Sequence, residues 1–130
     1  MQNDCSEEPP SELLEGIGQF NRGEYYECHE TLEDIWREEQ GDIRNLYKGI
    51  LQIGVGIFHA KRSNLSGAVR LVSSGMDLLG PFAPECMGID VAHLLQSAGL
   101  LREELKELAS SPGEVLKGIP IIRFKTLDSG

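Results

Sequence analysis

The chain has 130 residues, the length of one domain with one core, and 40% of them are hydrophobic. Its 21 acidic and 12 basic residues give a formal net charge of -9 at pH 7. Because the basic residues are scattered rather than clustered, we exclude a general nucleic-acid binder and a protein that adheres to anionic membranes.

The beginning of the chain is acidic and polar, unlike the basic start and apolar centre of a signal peptide. We predict that residues 1–9 are a disordered lead-in, followed by a helical domain over residues 10–112. The longest apolar stretch, around residues 50–60, is interrupted by Gln52 and His59 and is too short to cross a bilayer. A cytoplasmic location without a membrane partner is therefore expected.

Apolar residues at helical spacing, separated by short turn signals, predict five helices. They cover about residues 10–20, 24–39, 43–62, 66–79 and 90–109, and Asp90 is the expected N-cap of the fifth. Short connections favour antiparallel neighbours, so the predicted fold is an all-α compact array of about five antiparallel helices. Residues 113–130 are predicted as an extended C-terminal tail packed on the helices, and pairing of two-residue strands within it stays open.

The three cysteines are odd in number and lack the C-x-x-C spacing. They indicate neither a disulfide framework nor a zinc finger, and we expect Cys5 and Cys86 to be incidental. Cys28 precedes His29 directly, and adjacent residues on a helix point about 100° apart. A thiol nucleophile needs its base within hydrogen-bond reach, so a thiol enzyme is not favoured.

An unusual polar pair lies in the second helix. His29 and Glu33 are four residues apart, and Tyr25, Tyr26 and Trp36 lie within about 60° of His29 on the helix surface. This position predicts a buried histidine and carboxylate on an aromatic, inward-facing side. Without partners, such groups would cost several kcal/mol to bury, so a hydrogen-bond network or a metal is expected around them.

The third helix is apolar on most sides, which is typical of a central helix. Its exceptions, Gly49, Gln52, Gly56 and His59, recur at spacings of three and four and form one strip. Glycine inside a helix costs up to about 1 kcal/mol relative to alanine, so a closely packed neighbour should compensate. We expect that neighbour to be the second helix, which would bring Gln52 and His59 toward the polar pair.

The motif H-x-x-x-E-x-x-W/Y is matched by His29, Glu33 and Trp36 within residues 20–36, FNRGEYYECHETLEDIW. With the stretches KGILQ at 48–52 and NLSGA at 64–68, this region resembles domain of unknown function family 309 over about residues 12–80. The resemblance implies an all-α fold and a motif suspected of binding metal. It implies no established reaction.

Three hypotheses for the polar pair follow. The first is a divalent metal, zinc, iron or manganese, held by His29, Glu33 and His59, because ligands at i and i+4 share one helix face. Gln52, Trp36 and Tyr26 would then line a ligand pocket, and metal-assisted hydrolysis would suit an enzyme. The second is a structural polar network, and the third is metal-free acid–base catalysis by the histidine. Whether the protein is an enzyme stays open.

A different class of function also fits this sequence, a non-enzymatic interaction or scaffold module in which the histidine–glutamate pair is structural. Residues 20–26 resemble the turn and helix that open helical-hairpin repeats, although no second copy at a fixed period is visible. The candidate partners are a small ligand, a protein, or a second copy of the chain on a spare apolar helix face.

Overall fold

Five α-helices dominate the computed structural model, which describes residues 4–110 and 118–125. They are α1 (Ser11–Asn21), α2 (Tyr25–Glu38), α3 (Arg44–Lys61), α4 (Leu65–Leu79) and α5 (Val91–Ser110). A 3₁₀ turn, Gly80–Phe82, and two short strands, β1 (Glu85–Cys86) and β2 (Ile89–Asp90), connect α4 to α5. The predicted all-α array of five helices is confirmed. No helix within the described ranges is long and apolar enough to cross a membrane.

The core is built from the apolar side of each helix. In α5 the buried residues recur at helical spacing, and they are Val91, Leu94, Ala98, Leu101, Leu105 and Leu108. The central helix α3 buries residues on most of its circumference, including Leu46, Tyr47, Ile50, Ile53 and Ile57. Neighbouring helices cover α3 on both sides, because α2 and α4 both pack against it.

Gly49 and Gly56 of the strip on α3 face α4, and the expectation that these glycines pack against α2 is wrong. A Cβ atom added at Gly49 would lie 2.7 Å from Cγ of Leu79, and one added at Gly56 would lie 2.9 Å from Cγ2 of Val72. Both neighbours belong to α4, whose own Gly75 lies against the backbone of α3. The glycines therefore allow close approach of α3 and α4, and they do not direct Gln52 or His59 toward the second helix.

The loop before α5 contains a β-hairpin that the sequence did not predict. Strands β1 and β2 pair antiparallel, with Cys86 opposite Ile89. The turn between them is Met87–Gly88, whose φ angles of 52° and 79° suit a two-residue hairpin turn. Phe124 forms an isolated antiparallel bridge to Ile89, so the tail adds to this hairpin as a third extended segment.

Residues 118–125 are extended and lie against the helices and the hairpin. The side chain of Asn21, at the end of α1, donates to the carbonyl of Ile122 and accepts from its amide, both at 2.7 Å. The side chain of Ile122 is buried in the core. The extended tail of the predicted fold is thus present, and Asn21 fixes its position. The domain boundaries at residues 9 and 112 stay a prediction, since 111–117 and 126–130 lie outside the described residues.

A disulfide joins Cys5 to Cys86 across a sequence separation of 81 residues. The expectation that these cysteines are incidental is therefore wrong. The backbone amide of Met87 donates to the carbonyl of Cys5 at 2.8 Å, beside the disulfide. The segment around Cys5 is thereby attached to the hairpin.

The predicted N-cap of α5 is confirmed and gives a testable result. Asp90 accepts a hydrogen bond from the amide of His93 at 3.0 Å and contacts Nε of Arg123 at 3.0 Å. The His93 amide, with Arg123 beside it, lowers the pKa of Asp90 below the ordinary value of 3.8. We expect Asp90→Ala to lower the melting temperature at neutral pH by several degrees, and Asp90→Asn by less, because asparagine also caps helices.

The pH dependence of the Asp90 contribution separates the charge from the cap. A carboxylate with a lowered pKa stabilises the folded state above its ordinary pKa, and this stabilisation disappears as the pH falls through the lowered value. The wild type and Asp90→Asn should therefore converge in melting temperature as the solution is acidified from about pH 7 toward about pH 2. Circular dichroism melts measure this difference, and a gap that does not change with pH would contradict it.

Candidate functional site

The polar residues of α2 form a row at steps of four. Nε2 of His29 lies 3.6 Å from Oε2 of Glu33, and Arg37 donates to Oε1 of Glu33 at 3.1 Å. The side chains of His29 and Glu33 are 37% and 32% exposed, so the expectation that the pair is buried is wrong. The inward side of α2 is instead formed by Tyr25, Cys28, Leu32 and Ile35. His29 and Glu33 lie at the border of that side.

Trp36 lies half-buried between α2 and the beginning of α3. The guanidinium carbon of Arg44 is 4.4 Å from the centroid of the indole ring, and Nζ of Lys48 is 5.2 Å from it. Both distances are within the range of cation–π contacts. Arg44 and Lys48 were not among the predicted site residues. The signal that could have found them is their spacing from Gln52, because 44, 48 and 52 lie on one face of α3.

Two polar atoms of α3 lack hydrogen-bond partners among the described residues. Oε1 of Gln52 and Nε of Arg44 are shielded from solvent, and neither has a hydrogen bond to the described part of the chain. Shielded polar atoms of this kind are usually satisfied by a partner group. The prediction that Gln52 lines a ligand pocket is thus compatible with its position. The predicted contact of Gln52 with His29 is not observed.

We define the α2–α3 seam by six residues: His29, Glu33, Trp36, Arg44, Lys48 and Gln52. Within residues 4–110 and 118–125, no ion pair joins Arg44 or Lys48 to a carboxylate. Glu33 is already engaged by His29 and Arg37. The seam therefore presents two unpaired cations on an aromatic ring, a local positive charge in an acidic protein.

The other two predicted site residues are Tyr26 and His59. Tyr26 is 60% exposed and makes no ring contact within the described part of the chain. His59 lies near the end of α3, where its ring is 6.2 Å from that of Phe58. No group of three or more histidine, cysteine, aspartate or glutamate side chains in the described ranges is arranged to hold a metal ion. The structure thus does not support the predicted ligand set of His29, Glu33 and His59.

Cys28 lies in the core beneath the seam. It is a free cysteine with a fully buried side chain, and burial raises its pKa to about 12. A nucleophilic cysteine needs its thiolate form near neutral pH. Cys28 is therefore a packing residue.

The fold and the seam define a small all-helical protein with a polar, aromatic seam between its second and third helices. The sequence profile of the family Domain of unknown function (DUF309) matches residues 13–71, which include most of α1, all of α2 and α3, and all six seam residues. The chain is also 31% identical over 96 residues to the "Uncharacterized protein YpuF" of Bacillus subtilis (strain 168). That alignment covers 72% of this chain and 55% of the relative, so the chain spans about half the length of that protein.

Both similarities agree with the family resemblance drawn from residues 12–80. The profile match begins at Leu13 in α1 and ends at Leu71 in α4. They support a helical protein similar to this family, and neither name states a reaction or a ligand.

Proposed function

We propose that this chain is a binding module whose α2–α3 seam holds an anionic group, a carboxylate or a phosphate, of a small ligand or partner protein. The observation that carries the proposal is the stacking of Arg44 and Lys48 on Trp36 without a carboxylate partner for either cation. Arg44 offers planar donors suited to bidentate contact with such anions, and Lys48 adds a point charge.

The surroundings favour binding at this place. The indole ring restricts both cations, so less side-chain freedom is lost when an anion binds. Nε of Arg44 is shielded and has no acceptor among the described residues, and an anion would supply one. Partial burial also reduces the screening that weakens contacts between exposed charges.

The polar row of α2, formed by His29, Glu33 and Arg37, has a structural role in this proposal. Glu33 contacts His29 and forms an ion pair with Arg37, and the cation of Arg37 offsets its charge. A carboxylate held in this way repels an incoming anion less than a free one would. The pair that the sequence suggested as metal ligands thus forms the α2 edge of the seam.

The experiment uses the single tryptophan of the chain as the reporter. Trp36 fluorescence is followed while inorganic phosphate, acetate or a hexaglutamate peptide is added to the wild-type protein. We expect saturable quenching or enhancement by at least one of these probes. The double variant Arg44→Gln/Lys48→Gln should weaken that binding by about tenfold or more, equivalent to about 1.4 kcal/mol.

A matched control is available on the same helix. Lys61→Gln/Arg62→Gln removes the same charge, and Arg62 also lies over an aromatic ring, that of Phe58 at 4.9 Å. This variant should bind the probe within about twofold of the wild type, since only general electrostatics change. Equal losses in both double variants, or no fluorescence response to any probe, would overturn the proposal.

The metal hypothesis is a separate arm of the same experiment. Zinc, manganese and iron(II) are added to the wild type and to His29→Ala, and bound metal is measured after gel filtration. Near-stoichiometric metal that is lost in His29→Ala would replace the anion proposal with a metal site. Equal amounts of metal on both proteins would mean that His29 does not hold the metal. The anion titration would then decide the proposal.

A further inference from the structure

A second candidate site lies between residues 6–9, α1, the hairpin and the tail. It is an open groove with a cavity volume of about 520 Å³. Its apolar wall includes Leu14, Met87 and Phe124. We call it the N-terminal groove. It shares no residue with the α2–α3 seam.

The groove exposes apolar surface to solvent. Leu14 is 45% exposed and Phe124 is 40% exposed, although both are large hydrophobic side chains. These two come from distant parts of the sequence and are brought together by the tail crossing the hairpin. A concave apolar surface of this size is typical of a binding site for a small molecule or a short peptide segment.

Acidic residues surround this apolar surface. Glu7, Glu8 and Glu85 line the groove, and Lys125 is the single basic side chain among its lining residues. None of the three carboxylates has an ion pair within the described part of the chain. The groove is therefore complementary to an occupant that combines apolar side chains with positive charge.

We propose that the N-terminal groove binds a basic, apolar peptide segment of a partner protein, and that it does so when the Cys5–Cys86 disulfide is formed. Apolar side chains of the peptide contact Leu14 and Phe124, while its lysines or arginines pair with the surrounding carboxylates. An anionic or neutral lipid-like molecule would satisfy the apolar wall and leave the three carboxylates unpaired.

The disulfide controls the groove because it fixes one wall of it. Residues 6–9 line the groove and follow Cys5 directly, and Cys86 lies between the groove residues Glu85 and Met87. A dithiol reductant breaks the S–S bond with two electrons and two protons, gives two thiols, and is itself oxidised to a disulfide. In the disulfide-bonded protein, the backbone amide of Met87 also donates a hydrogen bond to the carbonyl of Cys5.

The test measures binding of a fluorescein-labelled peptide of alternating lysine and leucine residues by anisotropy, at physiological salt. A peptide of alternating glutamate and leucine is the charge control. We expect the full-length oxidised protein to bind the lysine peptide and not the glutamate peptide. The variant Glu7→Gln/Glu8→Gln/Glu85→Gln should weaken binding about tenfold or more.

General attraction to an acidic protein is tested by a charge-matched variant, Glu27→Gln/Asp77→Asn/Glu107→Gln, which changes three exposed carboxylates outside the groove. This variant should stay within about twofold of the wild type. Treatment with dithiothreitol, or the substitution Cys5→Ser, should weaken binding severalfold while the circular dichroism spectrum remains helical. Equal losses of affinity in both triple variants would overturn the proposal that the groove binds the peptide. Unchanged affinity after reduction would overturn the proposal that the disulfide controls binding.

Discussion

Replacement of Cys5 by serine is expected to lower the free energy of unfolding by about 2–4 kcal/mol. The disulfide closes a loop with a sequence separation of 81 residues, and a cross-link across a long loop restricts the unfolded chain strongly. Urea denaturation of the oxidised wild type and of Cys5→Ser measures the difference. The midpoint should fall and the slope should rise, because the denatured chain without the cross-link exposes more surface to urea.

The reduced wild type is the matched control for this substitution. With the disulfide reduced, its stability should fall to that of Cys5→Ser, because each change removes the same cross-link. Cys86→Ala combined with Cys5→Ser should lose less than the sum of the two single changes, as expected of interacting residues. Cys5→Ser and oxidised wild type with equal midpoints would show that the disulfide does not stabilise the fold.

The helices could be predicted because their signals are local. In α5, apolar residues recur at helical spacing, and Asp90 precedes them with a side chain that can cap the helix. Both features are contained within a few residues of sequence. The same holds for Gly80–Pro81, which marks the end of α4.

Very short strands and non-local contacts explain what the sequence did not reveal. The hairpin strands have two residues each, too few for an alternating pattern, and the disulfide joins residues 81 positions apart. The anchoring of Ile122 by Asn21 spans 101 positions. Such pairings depend on the packed fold, so composition and periodicity give no signal for them.

The seam likewise combines local features that the sequence predicted with contacts between helices that it did not. Periodicity placed His29, Glu33 and Trp36 on adjacent parts of α2, and the structure keeps them together there. Periodicity gives the direction of a side chain within its helix but not the neighbouring helix that covers it. The glycines of the strip on α3 were therefore assigned to α2 although α4 covers them. Arg44 and Lys48 were missed because cations at helical spacing are usually typical of a solvated surface.

Substitution of Gly75 by alanine is expected to reduce the free energy of unfolding by about 1–3 kcal/mol. A Cβ atom at this position would lie 2.7 Å from the carbonyl oxygen of Gly49 and 2.7 Å from Cγ1 of Ile53. The oxygen belongs to the backbone of α3, so relief requires that α3 and α4 move apart. This separation loosens the packing of Leu79 and Val72 on α3, and it outweighs the gain in helix propensity of about 0.8–1.0 kcal/mol.

Gly99→Ala is the control that separates helix propensity from close packing. Gly99 lies inside α5, and the nearest atom to an added Cβ there is Cε of Met76, at an ordinary contact distance of 3.6 Å. This substitution should therefore stabilise the protein by about 0.5–1 kcal/mol. Thermal and urea unfolding measure the change in stability of each variant, and the two changes should have opposite signs. A Gly75→Ala protein as stable as Gly99→Ala would mean that α3 and α4 do not approach as closely as the glycines of both helices allow.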